Sequence, residues 1–152
     1  MCYPHGRLVD IVETVRFIDS CVTHLTHLTY LEGAERSHRF CATLARILKY
    51  LADRAIDVPI GQEIEVLRLV IDAFNTAEDG VQVVELDAII DDPRHVVRRA
   101  SLVEGTLALV DCNARSHSPL HIRGTYDPVA NVYRMEAQGI ATDVQIPVRR
   151  NE

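Results

Sequence analysis

Apolar residues recur at spacings of three and four from Leu8 to Tyr30, at Leu8, Ile11, Val15, Ile18, Val22 and Leu25. Such a seam predicts a helix that packs lengthwise on another helix. It covers little more than two heptads, too few for a long isolated coiled coil. The pattern weakens at Gly33, and a second helix is expected from Ala34 to about Ala55. On it Phe40, Leu44, Ile47, Leu48 and Leu51 gather on one stripe. At about 100° per residue the centre of that stripe lies roughly 140° from His38. The imidazole therefore points away from the core, on a face shared with Glu35, Ala42, Ala45, Lys49 and Asp53. Pro59 breaks the pattern and tolerates only the start of a new helix after it. Ile64, Leu67, Val70, Ile71 and Phe74 then predict a third helix from Ile60 to about Asn75. Joined to the second by a short connection, it should complete an antiparallel hairpin.

After "TAEDG" the character of the chain changes. "VQVVELDAII" is rich in β-branched residues and reads as a strand. Asp92 and Pro93 resemble an N-cap and a first helical position, so the next helix is expected to begin there. It should carry Val96, Ala100, Val103, Leu107 and Val110 on one side, with Gly105 marking a close packing contact. Three further strands are expected in "LHIRGTY", "NVYRMEA" and "ATDVQIPV", the first two joined by the turn "DPVAN". The expected class is α+β. A helical region occupies residues 1–77 and a small α/β module residues 78–152.

Composition narrows the function. The chain of 152 residues has a net charge of -6, which disfavours nucleic acid and anionic membranes as partners. No run of 18 apolar residues is present, and the N-terminus lacks the design of a secretion signal, so a cytoplasmic location is expected. Cys2, Cys21, Cys41 and Cys112 are scattered without a CxxC pair and read as free thiols. Cys21, His24 and His27 fall at three-residue steps and invite a metal reading, since thiolate and imidazole suit Zn²⁺. Cys21 and His27 would lie about 240° apart around a helix, so the three cannot share one ion and no metal site is assigned. "VRRAS" at residues 97–101 has the form of a basophilic phosphorylation site, but two arginines on a helix are more simply a solvated face.

The order of short motifs resembles the core of two-component sensor histidine kinases. His38-Arg39 followed by Thr43-Leu44-Ala45 is similar to the histidine box of HWE-type kinases and to that of the LytS-like group. "VPIGQEIEVLRLVI" is similar to the second hairpin helix of the LytS-like kinases, "NARSH" at Asn113 to His117 to the N-box, and "GIATDVQIPV" to the closing strand of the ATPase module. The resemblance implies a hairpin that pairs with a second copy into a four-helix bundle, followed by an ATPase-like sandwich. It implies a phospho-accepting His38 and nucleotide contacts from Asn113 and His117; Glu35, one turn before His38, is placed to hold the second ring nitrogen, and Arg39 or Lys49 to steady the phosphate. Departures are equally specific. Ala42 stands where HWE-type boxes carry Asn, Leu109 stands where a Glu is expected, and only Gly139 lies in the span that should hold a glycine-rich lid. The module is thus expected to be degenerate and to hold neither ATP nor Mg²⁺, and the chain to act as a homodimeric phosphotransferase. Its partner would be a response-regulator receiver domain or a histidine kinase. Two other readings stay open: a non-catalytic adaptor of the same fold, and a metal- or ligand-sensing helical domain.

Overall fold

The computed structural model describes residues 33–77, 83–92, 94–113 and 118–150, together with Ile18, Cys21, Leu25, Leu28, Tyr30 and Leu31. Those six isolated residues are helical, with Cys21 and Leu28 buried and Tyr30 and Leu31 exposed. The remaining seam positions, Leu8, Ile11, Val15 and Val22, lie outside the described residues.

Helix α1 spans Ala34–Ala52 and helix α2 Ile60–Ala77. They run antiparallel. Tyr50 near the end of α1 meets Glu63 in the first turn of α2, while Arg39, Phe40 and Thr43 border a shallow depression with Asp72 and Thr76 near the end of α2. The inward stripe of α1 is rotated slightly from the expected one. Phe40, Ile47 and Tyr50 are buried, Leu44 and Leu51 are half-buried, and Leu48 is 43% exposed. The α1 helix ends earlier than expected, at Ala52, and the exposed segment 53–56 leads into strand β1, Asp57–Pro59. Pro59 sits on an edge strand, where its missing N–H costs no ladder bond.

Helix α2 is buried around most of its girth, at Ile60, Glu63, Ile64, Val66, Leu67, Val70, Ile71 and Ala73. The reason is its position. It packs against α1 on one side and against β1 and the elements that follow it on the other. One contiguous apolar core consequently runs from Phe40 through α2 to Ile146. Asn75, near the end of α2, fastens the next strand. Its amide donates to the Val84 carbonyl at 3.0 Å and accepts from the Val84 N–H at 2.8 Å, as a neighbouring strand would.

Strand β2 is Val84–Ala88, within the expected stretch. The segment from Asp92 does not begin a helix. The Asp92 carboxylate accepts the Arg94 N–H at 2.9 Å in a local turn, and His95–Arg98 forms strand β3. Two adjacent β-branched residues explain the difference: Val96 and Val97 pair with Pro59 and Val58 of β1, and Val96 also pairs with Arg149. Ala100, at φ 65°, then turns the chain into helix α3, Ser101–Asn113. The buried face of α3 is Leu102, Val103, Gly105, Thr106, Leu109 and Asn113; of the expected stripe it keeps Val103, while Leu107 and Val110 are half-buried. Gly105 does make the close contact: a Cβ there would come within 2.9 Å of Val144 Cγ1.

Strands β4, Leu120–Asp127, β5, Val132–Ala137, and β6, Val144–Pro147, match the expected segments. They form a four-stranded sheet in the order β2-β4-β5-β6, parallel between β2 and β4 and antiparallel elsewhere. A short β7, Arg149–Arg150, completes a second sheet in the order β1-β3-β7. The class is α+β. Among the described residues no helix is long and apolar enough to cross a membrane.

The cysteines depart from the expectation in one respect. Cys21 and Cys41 are free, but Cys112 is disulfide-bonded. Pairing is set by which residues the fold brings together, and sequence spacing carries no information about it.

Candidate functional site

Helix α1 starts after Gly33, whose φ of 82° suits glycine, and no side chain caps its first amides. Glu35 lies in this first turn, where negative charge complements the exposed N–H groups. His38 follows one turn later and is exposed, as are Glu35 and Arg39. His38 stands opposite the buried Phe40, Ile47 and Tyr50 stripe, on the face that the apolar spacing assigns to solvent together with Glu35, whereas Arg39 flanks the stripe. Among the described residues, none of their side chains makes a hydrogen bond or ion pair, so Glu35 does not hold the His38 ring in this geometry. Arg39 instead borders the depression lined by Phe40, Thr43, Asp72 and Thr76. Its carbonyl accepts from Thr43 Oγ1 at 3.0 Å. His95 is the contrasting histidine: 2% exposed, with its ring 4.2 Å from that of Tyr126.

The second candidate group is not brought together. Asn113 is the last residue of α3, 9% exposed, and its amide donates to the Ser118 carbonyl at 3.0 Å, closing the loop that leads to β4. His117 lies outside the described residues. Leu109, where the resemblance expects an acid, is 2% exposed in the apolar core. The connection from β4 to β5 is a tight turn over residues 128–131. Asp127 accepts the N–H groups of Val129 and Ala130 there, and Asn131 adopts φ 54°. Of the metal candidates, Cys21 is buried and its thiol is pushed up to about 11 by that burial, while His24 and His27 lie outside the described residues. Among the described residues no three His, Cys, Asp or Glu side chains cluster in a way that suits an ion.

A charged cluster missed by the motif reading lies where α1, α2 and α3 meet. Glu63 is completely buried. Its carboxylate accepts a short hydrogen bond from the Tyr50 hydroxyl and a second, at 3.2 Å, from the Leu102 N–H in the first turn of α3. Burial pushes the Glu63 carboxyl above the ordinary glutamate value, against the opposing pull of Tyr50 and the amides of Ala100 and Leu102. Burial and the adjacent carboxylate likewise push the Tyr50 hydroxyl up. Arg99 completes the group. Its guanidinium lies 4.5 Å from the Tyr50 ring, bonds the Tyr50 and Ala55 carbonyls, and pairs with Asp53 at 3.4 Å. One signal in the sequence pointed here: Glu63 shares the apolar face of α2 with Ile60, Ile64, Leu67 and Val70.

Compared with protein-family models, with curated proteins and with solved structures, the chain matches none.

Proposed function

We propose that this chain is a two-component signalling protein in which His38 accepts a phosphoryl group and relays it to or from an aspartate of a response-regulator receiver domain. One observation carries the reading: His38 is exposed on α1, with Glu35 and Arg39 nearby in sequence and, among the described residues, no hydrogen bond or ion pair from any of the three side chains. A relay histidine needs that access, because the partner's acidic pocket must close over the ring. In the step itself, the lone pair of the unprotonated ring nitrogen attacks the phosphorus of an aspartyl phosphate. The N–P bond forms, the P–O bond to the aspartyl oxygen breaks, and the aspartate leaves as a carboxylate. The proton on the other ring nitrogen passes to solvent or to Glu35, and Arg39 offsets charge on the phosphoryl oxygens. The receiver supplies its own divalent cation and acidic pocket, so little machinery is needed on this side.

The same reading makes α1 and α2 half of a four-helix bundle with a second copy, and the rest a reduced ATPase-like sandwich. Leu109 in the core, Asn113 committed to its loop and the four-residue turn after β4 do not fit a site for ATP and Mg²⁺. No step is taken through that nucleotide. The commitment of Asn113 also favours a second reading, a non-catalytic adaptor that binds a histidine kinase or receiver without accepting phosphate.

Incubation of the full chain with radiolabelled acetyl phosphate, or with a phosphorylated receiver domain, tests the choice. Relay predicts an acid-labile, base-stable label that disappears in His38→Ala. A label that survives in His38→Ala overturns it, and binding of a partner without any label selects the adaptor.

A further inference from the structure

The cluster around Glu63 ties the end of α1, segment 53–56 and the first turn of α3 together beside the one apolar core, to which α1 contributes Phe40, Ile47 and Tyr50. Helix α1 packs mainly on α2, whereas Leu102, Leu109, Leu120, Ile122, Tyr133 and Met135 close the interior between α3 and the four-stranded sheet. Between α1 and β1 runs the exposed, non-helical segment 53–56. Arg99 grips that junction at four points. Its N–H donates to the Ile56 carbonyl at 2.8 Å, Nε to Ala55 at 2.6 Å and another guanidinium nitrogen to Tyr50, and the Asp53 carboxylate pairs with it. All of these partners fall within residues 50–56. On the other side Arg99 adjoins Ala100, a non-glycine residue at φ 65°, a conformation held only when its surroundings enforce it. Tyr50 provides the second tie, through Glu63, to the first turn of α3.

We propose that Arg99, Tyr50 and Glu63 form a releasable latch. It holds the C-terminal end of α1 to the α/β module, and α1 swings on segment 53–56 when the latch opens while the core beneath α3 stays folded. A fastening made of a few hydrogen bonds and one ion pair opens in smaller steps than the whole packed core. The latch stands on the geometry alone. Its consequence, that opening changes how His38 is presented, rests on the relay reading.

Amide hydrogen exchange followed by mass spectrometry on the full chain tests it, with Arg99→Ala and Tyr50→Phe compared with the parent. Exchange in residues 34–52 is expected to accelerate by about tenfold or more in Arg99→Ala and by less in Tyr50→Phe, with residues 120–137 unchanged within about twofold. Equal acceleration in both regions overturns the latch, since the cluster would then be one more part of a single cooperative core. No acceleration in α1 overturns it as well. Should Arg99→Ala fail to fold, Tyr50→Phe decides on the same criterion. The rate of His38 labelling in the two variants is a separate readout: absence of label in the parent defeats the relay reading and leaves the exchange result to judge the latch.

Discussion

The Tyr50 hydroxyl donates a hydrogen bond to the fully buried Glu63 carboxylate, joining two helices across 13 positions of sequence. A carboxylate withdrawn from water is costly unless its oxygens are satisfied by donors. Here one oxygen takes Tyr50 and the other the Leu102 N–H, so a single side chain of α2 anchors α1 and caps α3 together. Tyr50→Phe keeps the ring against Arg99 and removes only the donor. The expected loss is about 1–3 kcal/mol of stability, the range for leaving a buried acceptor unpaired, read as a lower urea midpoint at unchanged slope. A variant as stable as the parent would mean that Glu63 finds another donor.

The same carboxylate predicts a pH dependence of definite sign. Its folded value lies above its unfolded value because burial outweighs the hydrogen bonds to it. The folded chain therefore binds this proton more tightly than the unfolded chain does. Its contribution to stability is fully present below the ordinary glutamate value and is lost as the pH rises through the raised folded value. Asp53, Asp92 and Asp127 are held below the usual carboxylate range and act in the opposite direction, losing their contributions as the pH falls. Comparison with Glu63→Gln separates the two. Between about pH 4 and pH 7 the stability of the parent relative to Glu63→Gln should fall as the pH rises. A difference that rises with pH would show that the hydrogen bonds, and not burial, dominate at Glu63.

Thiol chemistry offers a third check. Cys41 is exposed on α1, whereas Cys21 is buried and its thiol is pushed up to about 11. Alkylation proceeds through the thiolate, so both access and ionisation protect Cys21. Iodoacetamide at about pH 8 should modify Cys41 at least on the order of a hundredfold faster than Cys21 in the native, unreduced protein. Peptide mapping after a short exposure reads the ratio. Comparable rates would place Cys21 outside the core.

Much of this arrangement could be read from residue spacing. The 3.6-residue period placed α1 and α2, because each buries one face and that face leaves its rhythm in the sequence, and the segments of β4 to β6 were also recognised. The solvent side of α1, with Glu35 and His38, came from the same rhythm. The run from Asp92 to Ser101 failed for a physical reason. Val96 and Ala100 satisfy a helical spacing, but adjacent valines also suit a strand, and the pairing partners that decide between them lie at residues 57–59 and 149–150. Arg99 was misread for the same reason: expected on a solvated helical face, its side chain is 9% exposed and reaches the Tyr50 carbonyl across 49 positions. Glu63 was within reach of a sequence reading. An acid in line with Ile60, Ile64 and Leu67 is either a fault in the core or a sign of buried partners, and here Tyr50 and Leu102 are those partners.

Two glycines separate helix propensity from packing. At Gly105 an added Cβ meets Val144 Cγ1 at 2.9 Å, with Met135 and Ile146 atoms at 3.4 and 3.5 Å. Alanine there gains up to about 1 kcal/mol of helix propensity, which offsets part of an overpacking cost of about 1–3 kcal/mol. Gly124 in β4 has no such compensation. A Cβ would lie 2.5 Å from the Tyr133 hydroxyl and 2.7 and 2.9 Å from two ring carbons, and that ring is 1% exposed, so it has nowhere to turn. Gly124→Ala should therefore cost more than Gly105→Ala, at about 3 kcal/mol, measured by chemical denaturation. Adding Tyr133→Phe removes the nearest atom but leaves the ring carbons in place, so the double variant should recover only part of the loss. Full recovery would show that the hydroxyl alone demands glycine at this position, and no recovery that the ring does.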